Sequence, residues 1–466
     1  MKALVAIANY GSNNDRYLSQ LVEEYRSMSF PVDIVVVSNV PKDLGPGAQV
    51  LVVDLRNKDP WSLPFAHKEI FVERINQYDL FVYSEDDTLV TERNLRAFLE
   101  ASAVLPDDEI PGFLRFEKCS DGTMNLPEIH GHFHWDPQSV RERNGDTFAF
   151  FTNEHAACYA LTRNQLQKAV ESGGYLVDAH KEKYDLLCTC ATDPYTQCGM
   201  KKLICISRVD EFLIHHLPNK YVCTSFGIGG AEFRKQLDRL MHIGSNGCGS
   251  KTLFPTETKL PASAFSKSYY EAVRSDLLEA IPAEAQRVLS VGCGTGAMEA
   301  TLKRQGKRVV AVPLDPVIPG EAMDENVELV TLEESRQKLG NLKFDCLLLS
   351  NILHLIPDPQ RLLQNLGELL CRDATIVVLT PNLASAAMLW KRLRGDARVK
   401  GIGNYQTSGV HLTSPSVVRH WLSKAGMTQD KRIDILPPQR QKFERVAWNV
   451  FRTLLSAEFI VVARKA

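Results

Sequence analysis

The sequence predicts an α/β protein made of two doubly wound, Rossmann-like domains. In both halves of the 466-residue chain, short β-branched runs alternate with segments of helical periodicity, a pattern that favours a parallel sheet with helices on its faces. A stretch rich in Gly, Ser, Thr and Pro separates the halves at residues 242–261. We therefore predict a first domain at 1–241, a linker at 242–261 and a second domain at 262–466.

The composition narrows the class of protein. Hydrophobic residues make up 44% and charged residues 24%, which is ordinary for a soluble globular chain. The formal net charge of −2 gives no general attraction to nucleic acid or to an anionic membrane. No apolar run approaches ~18 residues, so we expect no membrane span, and the start of the chain predicts a strand, not a secretory leader. The odd number of eleven cysteines fits reduced thiols.

Each predicted element follows from local periodicity. In the first half, β-branched runs predict strands at 2–10, 32–39, 49–55 and 79–85, and apolar residues at helical spacing predict helices at 15–28 and 68–77. Between Ala101 and about Lys220 the pattern is irregular. In the second half we predict a helix at 268–281 and strands at 287–291, 308–313, 327–331, 344–350, 375–381 and 458–466.

A glycine-rich turn follows the first strand of the second half. In "RVLSVGCGTGAMEATL", Gly292, Gly294 and Gly296 stand between a strand and a helix. Glycine permits positive φ there and lets the backbone approach a ligand closely. The turn therefore predicts a nucleotide-like cofactor. It does not name that cofactor, because Ala297 is also compatible with a dinucleotide fingerprint.

Four ordered motifs narrow the choice: "VLSVGCGTG", "FDCLLLSNILHLIPDPQRLLQNLGELL", "ATIVVLTPNLAS" and "GVHLTSPSVVRHWLSKAGM". This order resembles the class I S-adenosylmethionine-dependent methyltransferases, especially those that act on small molecules and sugars, over about Ser268 to Ala466. The resemblance implies that the turn from Gly292 to Gly296, with Cys293, holds the methionine part of S-adenosylmethionine. It also implies a cofactor contact for Asn351.

The same resemblance implies further site residues. An acid at the end of the second strand should bind the ribose hydroxyls; Pro313 stands at the expected place, so we assign Asp315. Glu333 or Glu334 should meet the adenine amine. His354 is the candidate catalytic base, with a packed structural histidine as the alternative. For His411, a role in covering the site and a structural role stay equally open.

Three adjacent carboxylates end a strand of the first half. In "YDLFVYSEDDTLV", Glu85, Asp86 and Asp87 follow an apolar run, at the sheet edge where ligands bind in open α/β folds. Such oxygens suit Mg²⁺ or Mn²⁺. Lys68 and Arg74 lie just upstream and are predicted to meet phosphates. The alternative is a solvated acidic turn.

This arrangement resembles the GT-A type of nucleotide-sugar glycosyltransferase, over roughly Met1 to Val222. The resemblance implies a metal–diphosphate bound at Asp86 and Asp87, with Asp87 the direct ligand, and His215 or His216 completing the metal shell. Glu154 and Asp178 are the candidate catalytic bases on the acceptor side.

Two weaker patterns remain in the first half. His130, His132 and His134 would share one face of an extended segment, as a metal comb or as a polar loop. A second group lacks paired Cys-x-x-Cys spacing, which disfavours zinc: Cys188, Cys190, Cys198 and Cys205.

The leading hypothesis is a bifunctional transferase of polysaccharide or glycoconjugate assembly. The first domain would transfer sugar from a nucleotide sugar, and the second would methylate a glycan, a lipid-linked sugar or a related small molecule. We expect a cytoplasmic protein, with a location peripheral to the membrane of glycan assembly as a variant. A catalytically silent, glycan-binding first domain is the alternative. A nicotinamide oxidoreductase is disfavoured by the "TPN" and "IPDP" segments.

Overall fold

A computed structural model describes residues 1–55, 58–127, 133–222, 227–246, 252–260, 264–330, 343–437 and 449–466. The chain divides into two compact units, Met1–Gly249 and Ser250–Ala466. The division falls inside the range predicted as a linker. Four residues assigned from sequence, His130, His132, Glu333 and Glu334, lie outside the described residues.

The first unit is built on a five-stranded sheet in the order β11-β4-β1-β2-β3. Strands β1 to β4 are parallel and β11 is antiparallel to β4. All seven residues of β1 are buried, because helices cover both faces of the central strands. The four predicted strands are confirmed. The bounds are β1 (Ala3–Asn9), β2 (Val32–Ser38), β3 (Ala48–Val52), β4 (Leu80–Glu85) and β11 (Cys158–Thr162).

The helices of the first unit have apolar stripes that face this core. In α1 the buried residues Leu18, Leu21, Val22 and Tyr25 recur at helical spacing. The threonine before α3 and the threonine before α4 each form a capping box. The bounds are α1 (Asp15–Ser27), α2 (Ala66–Glu73), α3 (Glu92–Ser102), α4 (Arg163–Glu171), α5 (Leu186–Thr196) and α6 (Gly230–Asn246).

The region that looked irregular in sequence contains two further sheets, in the orders β6-β12-β10-β9 and β14-β8-β7-β13-β5. Most of these strands have two to six residues, too few for their alternation to show in the sequence. The bounds are β5 (Thr88–Leu89), β6 (Glu109–Pro111), β7 (Leu114–Lys118), β8 (Met124–Pro127), β9 (Trp135–Arg143), β10 (Asp146–Phe151), β12 (Lys201–Cys205), β13 (Leu213–His216) and β14 (Gly227–Gly229).

The second unit has one seven-stranded sheet in the order β17-β16-β15-β18-β19-β21-β20. Strands β15 to β19 are parallel, and β21 is antiparallel to both β19 and β20. All six predicted strands are present. The prediction missed β20, an edge strand whose middle is polar and charged. The bounds are β15 (Arg287–Cys293), β16 (Arg308–Pro313), β17 (Glu328–Leu329), β18 (Phe344–Ser350), β19 (Leu370–Pro381), β20 (Met427–Ile435) and β21 (Glu458–Lys465).

One helix prediction in the second unit was wrong in extent. The predicted helix at 268–281 begins only at Ser275, and the residues before it run as an irregular segment. The bounds are α7 (Ser275–Ala280), α8 (Ala297–Arg304), α9 (Gly320–Asp324), α10 (Pro359–Gly367), α11 (Ala386–Leu393), α12 (Tyr405–Ser408), α13 (Pro415–Lys424) and α14 (Asn449–Leu455). Short 3₁₀ helices occupy Pro60–Phe65, Ile75–Gln77, Val209–Glu211 and Ala397–Val399.

The end of the predicted linker belongs to the second unit. The backbone N–H of Leu253 donates to the carbonyl of Leu314 at 2.7 Å, and that of Lys259 donates to a carbonyl in α12 at 3.0 Å. Phe254 and Leu260 are buried in the core of the unit. Residues 252–260 are therefore a packed part of this fold.

Among the described residues, no helix combines the length and the apolar character needed to cross a membrane.

Candidate functional site

The glycine turn of the second unit lies between β15 and α8, at the carboxyl edge of the sheet. Gly292 and Gly296 have φ values of +83° and +86°, in the region that favours glycine. Gly294 is required for another reason: a Cβ there would lie 2.0 Å from the carbonyl oxygen of Tyr269. The same carbonyl accepts a hydrogen bond from Thr295 N at 2.9 Å. The turn is therefore tightly closed against the irregular segment that precedes α7.

That segment carries two charged residues that sequence reasoning missed. Lys267 is buried, and its Nζ lies 2.6 Å from Glu271 Oε2 and 2.8 Å from the carbonyl oxygen of Ser350. Glu271 also accepts hydrogen bonds from Ser350 Oγ at 3.0 Å and Asn351 Nδ2 at 3.2 Å. The sequence "SKSYYE" contains both charged residues, but part of it was predicted to be helical, and the irregular segment was therefore not recognised. This network joins the segment to the end of β18.

A cleft opens at the turn, lined by both charged and apolar groups. Its lining residues are Lys267, Tyr269, Glu271, Ser290–Glu299, Leu348 and Ser350. Glu299 is buried below the turn and accepts a hydrogen bond from Ser290 Oγ at 2.5 Å. Burial raises the pKa of Glu299 and also raises the pKa of the Cys293 thiol. Because Cys293 stays a protonated, buried thiol, its side chain packs and is no nucleophile.

An apolar cleft adjoins the charged one. Its lining residues are Leu253, Phe254, Pro255, Val291, Ile352, Ile356, Pro357 and Leu362. Val291 lines both clefts. Ile352 closes on the turn, since a Cβ on Gly292 would lie 2.8 Å from its Cγ2. The site therefore has a charged cleft and an apolar cleft, which share Val291 of β15.

The position of Asp315 follows from where β16 ends. Strand β16 ends at Pro313, and Asp315 lies buried beyond it. Its Oδ1 accepts hydrogen bonds from Val317 N at 2.7 Å and Ile318 N at 3.1 Å. Among the described residues that line the charged cleft, Asp315 is not present. The carboxylate closes its own loop, because the proline at the strand end displaces the acid by two residues.

His354 is buried between the strand-end loop and the segment before α7. Its Nε2 donates to the carbonyl oxygen of Phe265 at 2.8 Å, which leaves the lone pair on Nδ1. Nδ1 is buried and has no hydrogen-bond partner among the described residues. Burial lowers the pKa of His354 to about 4, so the ring is neutral at neutral pH. His411 lies beside His354. The backbone N–H of His411 donates to the backbone carbonyl of His354, and the ring Nε2 of His411 donates to the backbone carbonyl of Ile356.

In the first unit the acidic triplet lies where it was predicted, at the carboxyl end of β4. Two of its three carboxylates share a partner, because Asn14 Nδ2 lies 2.7 Å from Asp86 Oδ1 and 3.4 Å from Asp87 Oδ2. Asp86 accepts hydrogen bonds from Asn9 Nδ2 and Asn14 Nδ2, each at 2.7 Å, and so faces the end of β1. Glu85 Oε1 lies 3.8 Å from His155 Nε2. Asp86 and Asp87 therefore meet at Asn14, whereas Glu85 faces His155.

Asp87 faces a buried histidine. Its Oδ2 lies 3.4 Å from His216 Nε2, and the Nδ1 of His216 is held by Glu117 Oε1. Glu117 Oε2 in turn accepts a hydrogen bond from Tyr221 N at 2.7 Å. His215 faces the other side of β13, where its Nε2 meets Asn219. Of the two histidines predicted as metal ligands, only His216 lies beside the triplet.

Burial raises the pKa of two of the three carboxylates of the triplet. It raises the pKa of Glu85 to about 7 and that of Asp86 to about 7, and the neighbouring Asp87 charge adds to both shifts. For Asp87, burial opposes ionisation, but the hydrogen bond and charge of His216 lower the pKa overall. Asp87 is therefore the carboxylate that stays ionised at neutral pH.

The described residues do not form a complete metal cage. No group of three or more His, Cys, Asp or Glu side chains within them is arranged to hold a metal ion. Two carboxylate oxygens of the triplet, Asp87 Oδ1 and Glu85 Oε1, are nevertheless buried without a hydrogen-bond partner among the described residues. The protein could supply two ligands from Asp87 and His216. The remaining ligands of a cation would have to come from phosphate and water.

The two candidate bases of the first unit are separate. Glu154 Oε2 is bound by Lys183 Nζ at 2.9 Å and by the hydroxyl of Tyr184 at 2.7 Å. Asp178 lies on the exposed loop before α5, near His180, which contacts its carbonyl. Glu154 thus belongs to a polar network, and Asp178 faces solvent.

The two basic residues predicted to meet phosphate do not flank the triplet. Lys68 is buried and paired with Asp193. Arg74 follows α2 on the surface and donates to Gln49 at 3.3 Å. Sequence proximity was misleading, because α2 and its end carry both side chains away from the strand end. The described His134 is also buried, with its Nδ1 bound to the carbonyl of Trp135.

Comparison with known proteins shows that the second unit is similar to methyltransferases. Residues 265–429 match the family model described as a methyltransferase domain. A ubiquinone biosynthesis O-methyltransferase from Xylella fastidiosa (strain 9a5c) is 26% identical over 163 residues, which is 33% of this chain and 66% of the relative. An uncharacterized methyltransferase from Mycobacterium tuberculosis is 32% identical over 109 residues, 22% of this chain and 55% of the relative. The chain thus spans less than two thirds of the length of these relatives.

Solved structures are also similar to this chain. An S-adenosylmethionine-dependent methyltransferase from Mesorhizobium loti is 18% identical, over 41% of this chain and 96% of that one, with a TM-score of 0.31. The N-methyltransferase NodS from Bradyrhizobium japonicum, in complex with S-adenosyl-L-homocysteine, is 15% identical over 41% of this chain and 84% of its own, with a TM-score of 0.28. TM-scores of this size carry no inference about function.

The second unit therefore contains a methyltransferase domain with the Rossmann-like fold of class I S-adenosylmethionine-dependent methyltransferases. The glycosyltransferase resemblance of the first unit stays a prediction.

Proposed function

We propose that the second unit binds S-adenosylmethionine in the cleft at the glycine turn and methylates a hydroxyl oxygen of a small-molecule acceptor. The observation that carries the proposal is the closed turn, in which Gly294 leaves no room for a side chain. The charged and apolar clefts, which share Val291, suit a cofactor with an amino-acid end and a purine end. The O-methyltransferase relative supports an oxygen acceptor.

The charged pair in the cleft would hold the amino-acid end of the cofactor. The Lys267 ammonium suits the carboxylate of the methionine part, and the Glu271 carboxylate suits its amine. Both groups lie on the segment that closes Gly294, so the turn and the ion pair are positioned together. Asn351, which donates to Glu271, would act by holding that carboxylate in place. The bound cofactor would supply an electrophilic methyl group on its sulfonium sulfur.

The contribution of the chain to methyl transfer would be mainly positional. A displacement at a methyl carbon is accelerated when the acceptor oxygen is aligned with the bond that breaks. His354 is the candidate base through Nδ1, which carries the free lone pair. With a pKa of about 4, it would accept a proton only as charge develops on the acceptor oxygen.

Calorimetric titration of the full chain with S-adenosylmethionine and S-adenosylhomocysteine tests the proposal. We expect micromolar binding, and we expect Lys267→Met to weaken it by more than tenfold. Lys303→Met is the matched control, because Lys303 lies on α8 after the turn but outside the residues that line the cleft. Tight binding of a nicotinamide dinucleotide, or equal affinity of the two variants, would overturn the assignment.

A second candidate function concerns the first unit: binding of a nucleotide diphosphate, as in sugar transfer from a nucleotide sugar. The observation that favours it is the buried arrangement of Asp87, His216 and Glu117 at the carboxyl edge of a parallel sheet. Asp87 stays ionised and has an oxygen without a hydrogen-bond partner among the described residues. Glu117 would orient His216 from behind, as carboxylates do for metal-bound imidazoles. With Mn²⁺ or Mg²⁺ bound there, the charge of a diphosphate would be neutralised.

The test is titration of uridine, guanosine and thymidine diphosphates with and without Mn²⁺. Asp87→Ala and His216→Ala should each abolish metal-dependent binding. His215→Ala is the matched control, because the neighbouring ring faces the other side of the strand. Metal-independent binding, or no binding at all, would favour the alternative of a glycan-binding module without catalytic activity.

A further inference from the structure

Helix α11 presents apolar side chains to solvent on the surface of the second unit. Met388 is buried, but the side chains of Leu389, Trp390 and Leu393 are 45%, 56% and 82% exposed. Leu389 and Leu393 are one helical turn apart, so they share a face, and Trp390 lies beside them. Single exposed apolar residues are ordinary, but three on one short helix form a patch. We call this patch the α11 patch.

The α11 patch is bordered by positive charge. Lys391, Arg392 and Arg394 are all exposed, and none of them is in an ion pair within the described residues. The Arg394 guanidinium lies over the Trp390 ring, 4.5 Å from its centroid. No Asp or Glu occurs in the sequence from 386 to 395, and Asp396, which follows directly, is paired with Arg398. The patch thus combines an apolar centre with three exposed cations, although the whole chain carries a formal charge of −2.

We propose that the α11 patch docks on the surface of an anionic lipid bilayer. Leucine and tryptophan side chains would enter the region between headgroups and acyl chains, where an indole places its apolar body in lipid and its N–H in the wet interface. The three cations would remain at the headgroup level and meet anionic lipid. The helix would lie in the plane of the interface without crossing it.

Two other occupants fit the charges and the size less well. A second copy of the chain, packed symmetrically on the same patch, would bring two sets of these three cations together. A folded protein partner would need a contact of roughly 1,000 Å² or more, whereas an eight-residue helix is only about 12 Å long. A bilayer needs no matching shape, so a small patch with distributed charge suffices.

The location of α11 connects the patch with the candidate site. The helix begins five residues after β19 ends at Pro381. The neighbouring parallel strands β15 and β18 end at the same edge of the sheet, at the glycine turn and at Ser350. Docking would therefore bring a helix that starts close to that edge onto the bilayer. If the proposed methyl transfer is correct, the acceptor is a molecule carrying an apolar anchor; docking itself does not depend on that step.

Vesicle flotation with the full chain tests the proposal. We expect the protein to float with vesicles of phosphatidylcholine containing about 30% phosphatidylglycerol and to stay behind with pure phosphatidylcholine. Replacing the three cations with glutamine should weaken binding by about 100-fold, at roughly fivefold per charge near an anionic surface. Trp390→Gln with Leu393→Ser should abolish flotation. Lipids brominated near the headgroup should quench tryptophan fluorescence in the parent protein and much less in Trp390→Phe.

Matched controls separate the patch from general surface effects. Trp61→Gln with Leu176→Ser removes two comparably exposed apolar side chains in the first unit, and Arg419→Gln with Lys424→Gln removes two exposed charges on α13. Both control proteins should float like the parent. Loss of flotation in the controls as well, or unchanged flotation of the α11 variants, would overturn the proposal. So would a parent dimer in sedimentation that the α11 variants dissociate, since the occupant would then be a second copy.

Discussion

Replacing Gly294 with alanine should strongly reduce the affinity for S-adenosylmethionine while the unit still folds. The added Cβ would lie 2.0 Å from the carbonyl oxygen of Tyr269 and 2.7 Å from its carbonyl carbon. Real Cβ contacts essentially never fall below 3.0 Å, so turn and segment must separate by about 1 Å. The contact is with backbone, which cannot rotate away as a side chain does. The displacement must therefore move the segment that carries Lys267 and Glu271.

The size of the effect follows from what that displacement breaks. The hydrogen bond from Thr295 N to Tyr269 O, now 2.9 Å, would be lost at a cost of about 1 kcal/mol. Misplacing the ion pair that lines the cleft by about 1 Å weakens its contacts with a ligand by roughly a further 1–2 kcal/mol. Together these costs predict a loss of affinity of roughly 30- to 100-fold, at about 1.4 kcal/mol per tenfold. The bulkier Gly294→Val should abolish detectable binding.

Titration calorimetry with S-adenosylhomocysteine measures the affinity, and circular dichroism checks the fold. Gly306→Ala is the matched control, because Gly306 has a φ of +86° and nothing lies within 4 Å of the position that an added Cβ would take. That variant should lower stability by about 1 kcal/mol through backbone strain and leave ligand affinity unchanged. Equal affinities of the Gly294→Ala and Gly306→Ala proteins would refute the assignment of the turn as the cofactor site.

Three further predictions concern stability and the division into units. A fragment of residues 250–466 should be soluble and bind S-adenosylmethionine, whereas 262–466 lacks a buried phenylalanine and a buried leucine and should melt about 10 °C lower by circular dichroism. The pKa of His354 is about 4 in the folded protein and 6.5 in the unfolded chain, so the stability that depends on its neutral ring is present above pH 6.5 and is lost as the pH falls toward 4. His354→Gln should remove about 3 kcal/mol of this pH dependence of the unfolding free energy, as measured by denaturant titration. An unchanged pH profile would contradict this prediction. Lys68→Met should destabilise the first unit by about 3–5 kcal/mol, because it removes the cation paired with the buried Asp193 carboxylate. Adding Asp193→Leu should restore most of the lost stability. A double variant as unstable as the single one would count against the buried ion pair.

Much of the fold was readable from local sequence. The central parallel strands of both main sheets are apolar on both faces, so their continuous apolar runs were visible without any knowledge of their partners. The glycine turn could also be predicted locally, because a backbone with positive φ at Gly292 and Gly296 strongly favours glycine at those positions. The acidic triplet was also found at the strand end where the run "DLFVYS" had placed it. These features depend on a few consecutive residues.

The sequence by itself therefore determined the α/β class, the strands of both main sheets other than β11 and β20, and the glycine turn, because each is set by local backbone and burial preferences. Only the tertiary structure decided which polar groups meet. It brought the pair of Lys267 and Glu271 to Ser350 at the end of β18. It also gave Asp86 and Asp87 a shared contact with Asn14 but different further partners, Asn9 and His216. Such contacts join segments far apart in sequence, and their geometry depends on side-chain direction at strand ends, which no local pattern records.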